Sequence, residues 1–196
     1  MKIKSIKAKS VKDSRNQPTI QVEINGQKAS SPSGKSTGKF ETKPYKKSLA
    51  QSIKDINSLK ELKDIEINSF QDLKKVESLI KKKLKLKKPQ DFGANALFAL
   101  ESAILKALAK ENKKQLWQVI NPNAKSLPTP LGNAIGGGLH SKNENHPTFQ
   151  EFLIVPNAKK HNIKLMTKTH EKLKSILKAK NKNDEGAWNT SLNEEQ

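Results

Sequence analysis

Polar and apolar positions alternate along Thr19-Ile20-Gln21-Val22-Glu23-Ile24. A period of two sends successive side chains to opposite faces, which predicts a half-buried strand. Asn25-Gly26 follows, the pair best suited to a tight hairpin turn. Residues 27–31 then return as a strand and 3–11 precede, so the pattern predicts a three-stranded meander. After a Ser/Gly-rich loop at 31–38 the period changes. Leu49, Ile53 and Ile56, extended by Leu59, fall at helical spacing, as do Phe70, Leu73, Val76, Ile80 and Leu84. Both predicted helices carry a lysine-rich opposite face. Residues 92–109 are apolar nearly all round, so that helix is expected to be buried on most sides, with Asp91 placed to cap its start. A short helix at 115–120 ends at Asn121-Pro122, and Pro128 and Pro130 mark entry to a new unit. The division expected is 1–124 and 125–196.

The second stretch reads differently. Residues 131–138 predict a strand running into a glycine-rich loop. Phe152-Leu153-Ile154-Val155 predicts a short buried strand closed by Pro156, and 161–180 a lysine-rich amphipathic helix. The tail, 181–196, is polar and reads as loop. The order is strands, helices, then a strand–strand–helix beginning.

Composition adjusts this picture. Only 33% of the chain is hydrophobic and the mean hydropathy is −0.78, lean for one large core. The absence of cysteine excludes disulfides and thiolate metal sites. The first eleven residues alternate lysine with single apolar residues, unlike a signal peptide or membrane anchor, and no membrane association is expected. The net charge of +19 admits a nucleic-acid binder, because lysines neutralise phosphates and release counterions. It equally admits solvated helix faces painted with lysine, or an acidic partner. Arg15 is the one arginine among 38 basic residues. The bidentate fork that reads base edges is therefore scarce, and aromatics are too few for a stacking platform, so nucleic acid is the less favoured reading.

Several short motifs carry candidate chemistry. Ser33-Gly34-Lys35-Ser36-Thr37-Gly38 lacks the spaced glycine of a nucleotide-binding loop, and alone it reads as a surface turn. Gly136-Gly137-Gly138-Leu139-His140 sets a histidine beside a glycine hinge, as a moving lid would. Gln150-Glu151 stands at the mouth of an apolar strand, where a carboxylate is either an edge charge or a site acid. Asp184-Glu185-Gly186 is an acidic turn in a basic chain.

Their order carries more than any of them singly. Asp13-Ser14-Arg15-Asn16-Gln17-Pro18-Thr19 resembles the opening motif of the enolase family, with Asn16-Gln17 where Gly-Asn is usual. Ser33 to Gly38 resembles the family's first lid, Gly93-Ala94-Asn95-Ala96 the start of its buried helix, and Gly136 to His140 its second lid. Gln150-Glu151-Phe152 and Asp184-Glu185-Gly186 resemble two further family motifs. The forms Gly-Gly-Gly-Leu-His and Asp-Glu-Gly-Ala-Trp look closer to archaeal than to bacterial members. The resemblance runs from residue 1 to about 192.

This resemblance implies an α+β fold: the enolase N-terminal domain, with its three-stranded antiparallel meander followed by helices, then an incomplete α/β barrel start. It implies a cytoplasmic, glycolytic lyase that dehydrates 2-phosphoglycerate to phosphoenolpyruvate with two magnesium ions. Glu185 would be the general acid, with Glu151 beside it. His140, Gln150 and Glu151 would contact substrate, and Ser36 would complete coordination of the second magnesium. In the family the main magnesium ligands and the catalytic lysine lie on later barrel strands, and none has a counterpart in these 196 residues. The expectation is a chain inactive alone, needing a second chain with the C-terminal half of the barrel; a homo-oligomer is a further option. The alternative is a non-catalytic truncated remnant, with a basic nucleic-acid-binding module as one form of it. Asn189-Thr190, in place of the usual Ala-Pro, and a short stretch between 156 and 184 bear most on the geometry around Glu185.

Overall fold

A computed structural model describes residues 1–196 except 33, 35–37, 142, 159, 184, 194 and 196. The chain divides into two compact units, Met1–Ala124 and Lys125–Gln196.

In the first unit, β1 (Ile6–Lys12), β2 (Pro18–Ile24) and β3 (Gln27–Ser30) form an antiparallel sheet in that order. The register pairs Lys12 with Pro18 and Ile24 with Gln27. That register puts Ala8, Ile20, Val22, Ile24 and Ala29 into the core and leaves Lys7, Lys9 and Lys28 in water. Asn25 takes a left-handed backbone (φ 48) at the turn, and its Oδ1 accepts from the N–H groups of Lys4 and Ser5. The helices follow: α1 (Leu49–Ser58), α2 (Leu73–Lys83), α3 (Ala94–Glu111) and the short α4 (Leu116–Ile120).

Helix α3 is the axis of the core and packs against β2 and β3, burying Ala96, Leu100, Ala103, Ile104 and Leu108 among others. Its alanines let the helix approach the sheet closely, which a stripe of larger residues would prevent. Its start differs from the sequence expectation. Asp91 does not cap it; its Oδ2 accepts from the Lys88 N–H (3.1 Å) in the preceding 3-10 turn. The first helical N–H groups are satisfied by a neighbouring segment instead, Ala94 by the Lys43 carbonyl (2.9 Å) and Asn95 by that of Pro44 (3.0 Å). Gly93 allows this approach: its φ is 108°, and a Cβ there would lie 2.5 Å from Tyr45 Cα.

The second unit holds β4 (Gly132–Gly136), β5 (Glu151–Ile154), α5 (Asn162–Ile176) and β6 (Trp188–Asn189). Its sheet runs β5-β4-β6, with β4 antiparallel to β5 and parallel to β6. Two expectations are corrected here. The tail is not all loop, because Trp188-Asn189 pairs with Ile135-Gly136 while Ala187, Trp188 and Thr190 are buried. Strand β5 is not buried: Phe152 is 36% and Leu153 46% exposed, and Val155 just beyond it is 62% exposed. Among the described residues this sheet is open rather than a closed barrel, and no helix is long and apolar enough to cross a membrane.

Candidate active site

Strand β4 leads into the glycine triplet and a 3-10 turn, Gly138–His140. The triplet is not a loose hinge. Gly137 N–H donates to the Gln150 carbonyl (2.9 Å) and Gly138 N–H to the Pro147 carbonyl (2.8 Å). A Cβ on Gly137 would sit 2.2 Å from Phe149 O and 2.4 Å from Pro147 O, so only glycine fits. This close approach sets His140 beside the start of β5.

His140 is 8% exposed and stands between three polar side chains. Its Nε2 lies 3.0 Å from Gln150 Nε2, its Nδ1 2.9 Å from Glu185 Oε2 and 3.4 Å from Glu151 Oε1. An amide nitrogen can only donate, so Gln150 placed this way takes His140 Nε2 as its acceptor and would leave Nδ1 as the N–H that faces both carboxylates. The contact with Glu185 is short but off-line. His140 Nδ1 is therefore buried without a well-aligned hydrogen bond. Asn133, beside an irregularity in the β4–β5 pairing, reaches the same Glu185 oxygen through Nδ2 at 3.5 Å.

Glu185 itself rides on a tight turn. The side-chain Oδ1 of Asn183 accepts from the N–H groups of Glu185 and Ala187, each at 3.0 Å. Behind it, His170 Nε2 lies 3.0 Å from the Gly186 carbonyl, and the His170 ring packs on Trp188 at 5.2 Å.

His140, Gln150, Glu151 and Glu185 thus lie together in the second unit. Ser36, the expected metal ligand, falls outside the described residues. Asn133 and Asn183 were not singled out by sequence reasoning. The spacing Asn-x-x-Gly across 183–186, typical of a side-chain-closed turn, was the available signal for Asn183.

The arrangement offers a carboxyl group able to exchange a proton, a second carboxylate beside it, and an amide that orients the histidine. Such a set suits general acid–base chemistry. His140, Glu151 and Glu185 each place one donor atom within 4.8 Å of the others. Magnesium demands a near-octahedral shell of hard oxygens, whereas an imidazole nitrogen suits transition metals. This trio therefore does not fit magnesium.

Comparison with known proteins matches the same two units. The family model for the enolase N-terminal domain matches residues 3–120, and that for the enolase C-terminal TIM barrel domain matches residues 124–196. The chain belongs to the enolase family. It is 37% identical to an enolase of Ehrlichia canis (strain Jake) over 98% of its own length and 48% of the relative's. It is 34% identical to one of Ehrlichia ruminantium (strain Welgevonden), covering 96% of this chain and 49% of that one. An enolase of Methanothermobacter thermautotrophicus is 29% identical over 97% of this chain and 49% of its own length. The chain spans about half the length of these curated relatives.

Proposed function

We propose that the second unit supplies the acid side of an enolase site, which eliminates water from 2-phosphoglycerate to give phosphoenolpyruvate. In that reaction the C2–H bond breaks, its electron pair becomes the C2–C3 double bond, and the C3–OH bond breaks. Hydroxide is a poor leaving group, so it must depart with a proton. Glu185 is the donor in this reading, and the departing hydroxide plus that proton make water. His140, in contact with Glu185, orients the carboxyl, and Gln150 fixes the histidine tautomer. Glu151 adds a second carboxylate next to the transferred proton. The C2 proton goes to a base outside this cluster. The magnesium chemistry of the family, which stabilises the charge of the enediolate, also requires ligands other than these.

One observation carries the reading: residues of three separately placed enolase-like motifs meet around the buried imidazole of His140. The completing groups would come from the barrel strands that follow in the relatives, on the same polypeptide or a second one. The test supplies those strands to this chain, with magnesium, and follows phosphoenolpyruvate by its ultraviolet absorbance. Activity is expected, and Glu185→Gln should lower it about 10²- to 10⁴-fold, the usual worth of a positioned general acid. No product from a folded assembly, or an undiminished rate in Glu185→Gln, would refute the assignment.

A further inference from the structure

We propose that Asn183 is the positioning residue that holds Glu185 against His140; its importance for turnover rests on the acid reading above, its geometry does not. Glu185 is 37% exposed and sits on a turn, a setting in which a carboxylate normally samples many rotamers. The turn is closed from within by one side chain. Asn183 Oδ1 accepts from Glu185 N–H and Ala187 N–H, both at 3.0 Å. Its backbone N–H donates to the Ala187 carbonyl (2.8 Å), and its carbonyl accepts from Gly186 N–H (3.1 Å). Asn183 therefore makes four hydrogen bonds across 183–187, two of them through a single oxygen.

The same side chain also touches the strand that carries the histidine. Its amide packs on Gly136 of β4, where a Cβ would lie 2.5 Å from Asn183 Nδ2. From Gly136 the chain runs through the pinned triplet to His140. The separation of Glu185 from His140 is thus set through Gly136 and Asn183, not by the carboxylate's own contacts alone. Asn183 Nδ2 is buried with no hydrogen-bond partner. An unpaired buried donor is costly, so the side chain's favourable contribution lies at its other end, the acceptor oxygen. Alanine would leave the N–H groups of Glu185 and Ala187 unpaired. Aspartate would keep the acceptor.

The test reads the ring-nitrogen NMR signals of His140 in the chain as it exists, without substrate or metal. Glu185→Ala is expected to change the Nδ1 and Nε2 signals by removing the nearer carboxylate. Asn183→Ala should reproduce that change while the amide signals of β4 and β5 stay in place, and Asn183→Asp should restore the original pattern. The proposal is overturned if Asn183→Ala leaves the His140 signals unaltered, or if Glu185→Ala does. Should Asn183→Ala fail to fold, amide exchange in the unaltered chain decides. Glu185 and Ala187 N–H are expected to exchange at least about tenfold more slowly than in an unstructured peptide, and free exchange would refute the role. Because no turnover is involved, failure of the dehydration assay would leave this outcome intact, and the reverse holds too.

Discussion

Helices α3 and α5 are nearly equal in length yet live in opposite environments. In α3, ten of eighteen residues are buried, while in α5 none of fifteen is. Both contain regularly spaced leucines and isoleucines, so periodicity alone does not separate them. What separates them is the neighbouring surface. Helix α3 meets the apolar face of a three-stranded sheet. Helix α5 lies beside a short sheet whose edge strand β5 is itself exposed, and Ile163, Leu165 and Ile176 stay in water. The first unit is held by apolar packing. The second is organised largely by hydrogen bonds through glycines and asparagines, and those bonds are what place the candidate site.

The sharpest way to break this contrast is to cut equal volumes from the two helices. Ile104→Ala removes a fully buried side chain and should cost the first unit about 3 kcal/mol in urea unfolding. Leu165→Ala in α5 should change stability by less than about 0.5 kcal/mol. Equal losses would show that the second unit has a core of its own around α5.

A smaller effect should appear with pH, again confined to the first unit. Burial, reinforced by the adjacent Glu77 carboxylate, pushes Glu101 up to about 7 from an ordinary 4.5. The folded chain therefore keeps this proton through a range where the unfolded chain has lost it. Stability should fall as pH rises from about 4.5 to about 7 and level off above. Allowing for its partial contact with water, the loss is about 2 kcal/mol. Glu101→Gln should flatten that slope in a pH series of unfolding curves.

The smallest change concerns Asp72. Its carboxylate is held below the usual range by Lys75 at 2.7 Å, with help from the N–H groups of Asn68 and Ser69, each at 2.9 Å. A lowered carboxyl contributes stability above its ordinary range and loses it as pH falls. Asp72→Asn should thus lower the melting temperature slightly at neutral pH and have no effect in strong acid.

The first unit was largely legible in the sequence, and for a physical reason. A one-residue slip in β2 would turn Ile20, Val22 and Ile24 out to solvent, so alternation alone fixes which face is buried. The start of α3 was not legible, because its N–H groups are capped by carbonyls from Lys43 and Pro44, some fifty residues earlier, and no local residue reports that. Strand β6 was missed because two residues in a polar tail carry no period, and its pairing depends wholly on β4. At the site, His140, Gln150, Glu151 and Glu185 were each ordinary in isolation and stood out only through the order of their motifs. Asn183 lay one step further from view, acting through backbone groups of its neighbours.

The tethering of the glycine triplet has a dynamic corollary. Gly137 and Gly138 are bound to the very stretch that ends in Gln150, so His140 and its amide partner belong to one plate. Whatever swings that histidine must carry the glutamine with it, or rupture both tethers first. Relaxation measurements on the two side chains should then return one common exchange rate, a gate that turns on a single pivot instead of two independent flaps.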